Sequence, residues 1–165
     1  MSKTLSQDLG ARLEAAVNSG AELYATRRLA RLAKVSTPIV QLSRVGATGE
    51  FKAKHGEKAH VDFYGVLLER AGSHLNGRAV AVECKATLEP RFQYSGIRPQ
   101  QRVWLADTQL AFVLVDFVQF GGCRLIPWEQ FSPKTSVTPL SGWPVAAVEF
   151  LAPVLDGRVV GLHCL

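Results

Sequence analysis

Apolar and polar positions recur along this chain with periods that change from segment to segment, and each period predicts an element. Leu9, Leu13, Ala16, Val17 and Gly20 fall at three- and four-residue steps, as do Ala25, Leu29 and Leu32, so residues 4–34 are predicted mostly helical. Asn18-Ser19-Gly20 is a candidate break that would divide the stretch into two helices. In the second, Arg27, Arg31 and Lys34 stand at i, i+4 and i+7 and would share one face. Thr37-Pro38 ends the helix, because proline disfavours α geometry in the residue before it. Residues 39–44 (IVQLSR) read as a short strand. From 45 to 58 the pattern dissolves into VGATGEFKAKHGEK, with three Gly, three Lys and one Phe, which predicts a basic loop or protruding hairpin outside the core.

The centre of the chain reads as sheet. His60 to Leu68 and Arg78 to Lys85 are both strand-like, and Asn76-Gly77 in their connection is a hairpin signal. On the second strand Val80, Val82 and Cys84 point one way and Ala81, Glu83 and Lys85 the other. Pro99 can open a helix at its first turn, giving a helix over 99–108. Leu110 to Phe117 is nearly all apolar, as for a strand buried on both faces. Gly121-Gly122 turns into a strand at Cys123 to Ile126, and Pro127 to Phe131 reads as one helical turn. Pro133, Pro139, Pro144 and Pro153 punctuate the tail, 132–165, which is predicted irregular with a last strand at 158–164. The order is that of an α/β sheet with one helix before it and another packed on it.

Composition narrows this further. A chain of 165 residues with 47% apolar and 20% charged positions is that of one ordered domain spanning 1–165. The longest apolar run, Leu110 to Val115, is far short of the ~20 residues a membrane helix needs, so no membrane partner is expected. Met1 to Gly10 carry one Lys, one Asp and no apolar segment, so no signal peptide is expected. Cys84, Cys123 and Cys164 form no CxxC pair and no zinc-like cluster with His, and so sparse a set suits a reducing cytoplasm. A P-loop and a GxGxxG fingerprint are both missing, so no nucleotide cofactor is expected.

The charge is uneven. Between Arg27 and Lys58 eight positive residues (Arg27, Arg28, Arg31, Lys34, Arg44, Lys52, Lys54, Lys58) face two negative ones (Glu50, Glu57), a net of +6 against +5 for the whole chain. The basic excess therefore lies in about a fifth of the sequence, a footprint of phosphate binding. On charge alone, a solvated surface made basic for solubility has the same appearance.

Asp62, then Glu83-Cys84-Lys85, occupy the two consecutive central strands. Glu83 and Lys85 project from one face of an otherwise apolar strand, where unpaired charge is costly to bury. One resolution is a divalent cation held by hard oxygens, the Asp62 and Glu83 carboxylates and the Cys84 carbonyl. The other is a Glu83–Lys85 ion pair on a half-exposed strand, since a D…ExK pattern is short and common. A basic loop before the first strand, and Gln100, Gln101 and Arg102 at a helix N-terminus that suits an anion, favour the former.

D…(D/E)xK on adjoining strands resembles the PD-(D/E)xK nuclease superfamily, and the likeness is closer to one branch. LEAAVN (13–18), Tyr24 and RLARLAKVSTPIVQL (28–42) resemble the opening of RecU-type Holliday junction resolvases, with their LE helix, Tyr, basic helix and TP strand entry. The family's T/S-x-D-Y-x-G segment is similar to His60-Val61-Asp62-Phe63-Tyr64-Gly65, and its F-E-A-K-x-T to Val82-Glu83-Cys84-Lys85-Ala86-Thr87. Its H-Q helix start is similar to Gln100-Gln101. The likeness runs from about 9 to 131, and the basic loop stands where the family carries its stalk. His60, Val82 and Gln100 depart from the family's hydroxyl, aromatic and His at their positions, and the tail after 132 matches least.

The resemblance implies a restriction-endonuclease-like mixed central sheet flanked by helices, with a protruding basic loop or stalk at 45–58. It implies a Mg²⁺-dependent endodeoxyribonuclease, with Mn²⁺ as a substitute, making paired symmetric nicks in four-way DNA junctions as a homodimer during recombination and repair. Asp62, Glu83 and the Cys84 carbonyl would bind the metal. Lys85 would contact the attacking water or the scissile phosphate, Glu14 would add an acidic group, and Gln101 would touch metal-bound water or DNA. Arg27, Arg28, Arg31 and Lys34 would grip duplex arms, while Arg44, Phe51, Lys52, Lys54 and Lys58 would lie near phosphates at the junction centre. Such enzymes work in the bacterial cytoplasm, or in the host's where phage-encoded. Two other readings stand beside this one: another PD-(D/E)xK nuclease of restriction or repair type, and a basic DNA-binding module without activity.

Overall fold

A computed structural model describes residues 5–35, 39–45, 50–55 and 61–157 of the chain, the two middle ranges through their backbone. Helix α1 runs unbroken over Leu5–Thr26. Its buried positions, Leu13, Val17, Gly20, Ala21 and Tyr24, keep the three- and four-residue spacing read from the sequence. The expected break at Asn18-Ser19-Gly20 does not occur. A Cβ on Gly20 would stand 2.3 Å from the Val148 carbonyl oxygen, so this glycine serves a close packing contact rather than a turn.

The second expected helix is a strand. Thr26 ends α1, Arg28 takes φ 56°, and Ala30–Lys34 form β1. Arg27 and Arg28 therefore lie on the turn and Arg31 and Lys34 on a strand, so they do not line one helical face. Ala25, Leu29 and Leu32 fit a helical period, but Ala30 and Leu32 also alternate with Arg31 and Ala33. In so short a window both periods match, and pairing with the rest of the sheet decides. Strand β2 (Ile39–Val45) pairs antiparallel with β3 (Glu50–His55) in a two-stranded sheet of their own, so the stretch at 45–58 contains one arm of a hairpin. Lys58 lies outside the described residues, as does His60.

Six strands make the main sheet, in the order β1, β4 (Phe63–Leu67), β5 (Ala79–Thr87), β7 (Leu110–Phe117), β8 (Gly122–Pro127), β10 (Trp143–Pro144). Between β5 and β7 come β6 (Phe92–Gln93), a 3-10 turn at Tyr94–Gly96 and helix α2 (Pro99–Asp107). The β5–β7 pair is parallel, with Glu83 opposite Val113, and its neighbours are antiparallel. At Gly65 an added Cβ would stand 1.9 Å from the Arg31 carbonyl oxygen, so β1 and β4 approach closely there.

The sheet has two covered faces. On one, α1 and the tail segment Phe150, Leu151 and Val154 pack over Val80, Val82, Phe112 and Leu114. On the other, Ile97 and Leu105 from α2 and its approach pack with Phe131 over Ala81, Val113 and Val115. Strand β7 is buried on both sides as its apolar run predicts, so Leu114→Ala would cost about 2–5 kcal/mol. The tail is more ordered than its prolines imply: β9 (Ser136–Val137) pairs β6, and β10 extends the main sheet. The buried Tyr24 hydroxyl accepts the Leu151 N–H at 3.0 Å, tying α1 to that tail. The final strand expected at 158–164 lies outside the described residues. This is the restriction-endonuclease-like mixed sheet, flanked by helices, that the sequence implied.

Candidate active site

Strand alternation makes the site. Val82 and Cys84 turn to the α1 side, and Glu83 and Lys85 to the α2 side. Glu83 is wholly buried, an uncommon state for a carboxylate. Its Oε1 accepts hydrogen bonds from Lys85 Nζ at 2.5 Å and from Gln101 Nε2 at 2.6 Å. Gln101 Oε1 in turn accepts the Arg98 N–H at 3.1 Å, so a helix-capping interaction also fixes the amide that meets Glu83.

Asp62 stands where β4 begins to leave β5. The last paired residues there are Phe63 and Val82, and beyond them Asp62 Oδ2 accepts the Cys84 N–H at 2.8 Å. The N–H and C=O of one strand residue face the same neighbour, so the Cys84 carbonyl projects to the Asp62 side as well. The Asp62 carbonyl oxygen accepts the Val35 N–H at 2.8 Å, joining this corner to the end of β1. From the α1 side Glu14 Oε2 holds Lys34 Nζ at 2.8 Å.

Burial dominates the electrostatics of the site and disfavours the charged form of both carboxylates. Burial, then the nearby Asp62 charge, push the Glu83 carboxyl up to about 7. Burial raises Asp62 too, against the Cys84 N–H and Lys85, which favour its ionised form, while Glu14 adds to the rise. The hydrogen bond to Glu14 raises Lys34. Burial drives the Cys84 thiol well above its usual range, so this cysteine contributes its backbone and not a nucleophilic sulfur.

Whether the donors suit a divalent cation turns on one atom. Glu83 Oε2 is buried and, among the described residues, accepts no hydrogen bond. A buried carboxylate oxygen that accepts no hydrogen bond is costly; a proton shared with Asp62 satisfies it when Glu83 is neutral, and a cation would satisfy it when Glu83 is ionised. Two carboxylates and a backbone carbonyl are hard oxygen donors of the kind Mg²⁺ takes. Among the described residues no three His, Cys, Asp or Glu side chains gather into a larger cage.

The structure joins Lys85 and Gln101 to Glu83 by hydrogen bonds and Asp62 to the Cys84 N–H next to it, while Glu14 acts on Asp62 through its charge. It also pairs Lys34 with Glu14. Arg27, Arg28 and Arg31 are exposed. Arg44 is on β2 and Phe51, Lys52 and Lys54 on β3, where the backbone alone is described. Arg98, whose charge favours ionised Glu83, is a site residue that sequence reading missed; its place before Pro99 at a helix start was the available signal.

Among the described residues no helix is long and apolar enough to cross a membrane. A protein-family model, RecU (recombination protein U), matches residues 8–137, well over half of the chain and every element of the site. No curated protein matches the chain.

Proposed function

The chain belongs to the RecU family of Holliday junction resolvases, and we propose that it cuts four-way DNA junctions as a divalent-cation-dependent endonuclease in recombination and repair. The observation that supports the metal requirement most is the buried Oε2 of Glu83, which accepts no hydrogen bond among the described residues and lies beside Asp62. Asp62, Glu83 and the Cys84 carbonyl would hold Mg²⁺, or Mn²⁺ in its place. When bound, the cation activates the attacking water and neutralises charge on the phosphate.

The chain's own residues do the rest. Cys84 N–H and Gln101 hold the two carboxylates in place, so neither of them has to be ordered when DNA arrives. Lys85 has a flexible ammonium beside Glu83, and it would meet the attacking water or the phosphoryl oxygens as charge builds on them. Glu14 adds negative charge near Asp62. Arg27, Arg28 and Arg31 would hold duplex arms, and the β2–β3 hairpin, with Arg44, Phe51, Lys52 and Lys54 and then Lys58, would enter the junction centre. Two matched nicks need two active sites related by a two-fold, hence a homodimer. The cytoplasm is where such a substrate arises.

The nearest rival, a duplex-cutting PD-(D/E)xK nuclease, gains support from the carboxylate site's having all its residues outside the hairpin. Deleting 46–57 separates the two: loss of junction preference with the deletion supports resolution, and unchanged preference favours the rival. The reading itself is tested by cleavage of a labelled four-way junction beside a matched duplex, with Mg²⁺ or EDTA. Paired nicks on the junction alone, abolished by EDTA, are expected. Junction binding without cutting under every condition would overturn it in favour of a non-catalytic module.

A further inference from the structure

A groove of about 600 Å³ opens beside α2, and neither Asp62 nor Glu83 lines it. Tyr94, Ser95 and Arg102 line one wall, and Lys134, Thr135 and Ser136 the other. Two cations and several hydroxyls line it, and none of its lining residues is acidic. The walls are held independently of any ligand. Gln93 and Ser136 are paired where β6 meets β9. Thr135 Oγ1 accepts the Ser132 N–H at 2.9 Å, and the Thr135 N–H returns to the Ser132 carbonyl at 3.0 Å, so Lys134 is carried on a closed turn.

The aromatic wall is already occupied. Tyr94 stacks on Trp128 with centroids 5.6 Å apart, and Trp128 on Phe131 at 5.7 Å. The Arg102 guanidinium lies 4.2 Å from the Tyr94 ring centroid, and its Nε donates to the Ile97 carbonyl at 2.6 Å. A base has no free Tyr94 face to stack on. An arginine so fixed keeps its terminal amino groups as planar donors, which suit a phosphate.

Position on α2 connects the groove to the chemistry. Gln101 and Arg102 are consecutive, and one residue turns a helix by about 100°. Gln101 therefore reaches in to Glu83 while Arg102 lines the groove. We infer that the groove is a phosphate subsite for the DNA strand, holding a backbone phosphodiester close to the one that is cut. This rests on the reading of Asp62 and Glu83 as the cutting pair. It adds a contact from residues 94–136, a region that shares none of the basic excess of 27–58.

The test is binding of a labelled four-way junction to the full chain in EDTA, over about 50–200 mM salt. Lys134 is exposed, so its replacement leaves the core intact. Lys134→Ala is expected to lower the salt slope by about one and Lys134→Glu to weaken binding further, while Lys134→Arg retains both. Arg70→Glu, the same charge change as Lys134→Glu at an exposed residue outside the groove, is expected to leave the slope unaltered. Wild-type slope and affinity in Lys134→Ala would overturn the subsite, as would an equal loss in Arg70→Glu. No cutting is involved, so failure here leaves the carboxylate reading standing, and failure of that reading shows instead as cleavage that survives loss of Asp62.

Discussion

Asp62 Oδ2 accepts the backbone N–H of Cys84 at 2.8 Å, at the point where β4 turns away from β5. A side chain there completes a strand edge that would otherwise lose its partner. The same bond orients a carboxylate toward Glu83, so sheet integrity and the candidate metal site share one residue.

Asp62→Ala therefore leaves a part-buried N–H unpaired and should destabilise the fold by about 1–3 kcal/mol. Asp62→Asn keeps an acceptor oxygen in place and removes a carboxylate that burial disfavours, so its stability should match or exceed wild type without metal. Urea unfolding in EDTA measures both. Equal destabilisation by Ala and Asn would show that the charge, and not the hydrogen bond, supports this edge.

Glu83 should make stability depend on pH. Its folded carboxyl is raised to about 7 from 4.5, so the native state binds the proton more tightly than the unfolded chain. That favourable contribution is fully present below about 4.5 and is lost as pH rises through about 7. Relative to Glu83→Gln, wild type should lose on the order of 3 kcal/mol between pH 4 and 8 in EDTA, and Mg²⁺ should restore part of it at the alkaline end. Thermal unfolding of the two proteins across that range would contradict this by giving parallel curves.

Gln101 positions Glu83 through one hydrogen bond and caps α2 through another. Gln101→Ala should reduce metal affinity or cleavage about 10–100-fold, the usual effect of losing a residue that orients a ligand. Junction binding in EDTA should be close to wild type. An equal loss of DNA binding would reassign Gln101 to the substrate.

Gly20 gives a test of packing. If it were a helix break, alanine would be neutral or would stabilise α1 by up to about 1 kcal/mol. With the Val148 carbonyl 2.3 Å from an added Cβ, Gly20→Ala should instead cost about 1–3 kcal/mol. Chemical denaturation decides the sign.

The contrast between these residues shows what a sequence can reveal. The core strands were legible because burial on both faces leaves near-continuous apolar runs: Leu110 to Phe117 has one polar residue, and Val80 to Cys84 has only Glu83. Asp62, Glu83, Lys85, Gln101 and Glu14 were legible through a motif shared with a family, and among them the fold hydrogen-bonds Lys85 and Gln101 to Glu83. Residues 27–34 misled, because LARLAK fits both a helix and a strand until β4 is there to pair with it. Gly20 misled because a glycine required by a neighbouring carbonyl looks like a glycine required by a turn. Lys34 lies on a strand rather than a helix and pairs with Glu14, a contact between distant segments that carries no local sequence signal. Arg98 carried no motif, and only the capping geometry of α2 brings it into account.

The most direct test of the central claim compares wild type and Asp62→Asn on a labelled four-way junction with Mg²⁺, scoring cleavage and, in a parallel sample with EDTA, binding. Paired nicks by wild type, with cutting lost and binding retained in Asp62→Asn, are the predicted result. Cutting by Asp62→Asn at the wild-type rate would contradict the assignment of Asp62 and Glu83 as the centre that cleaves DNA.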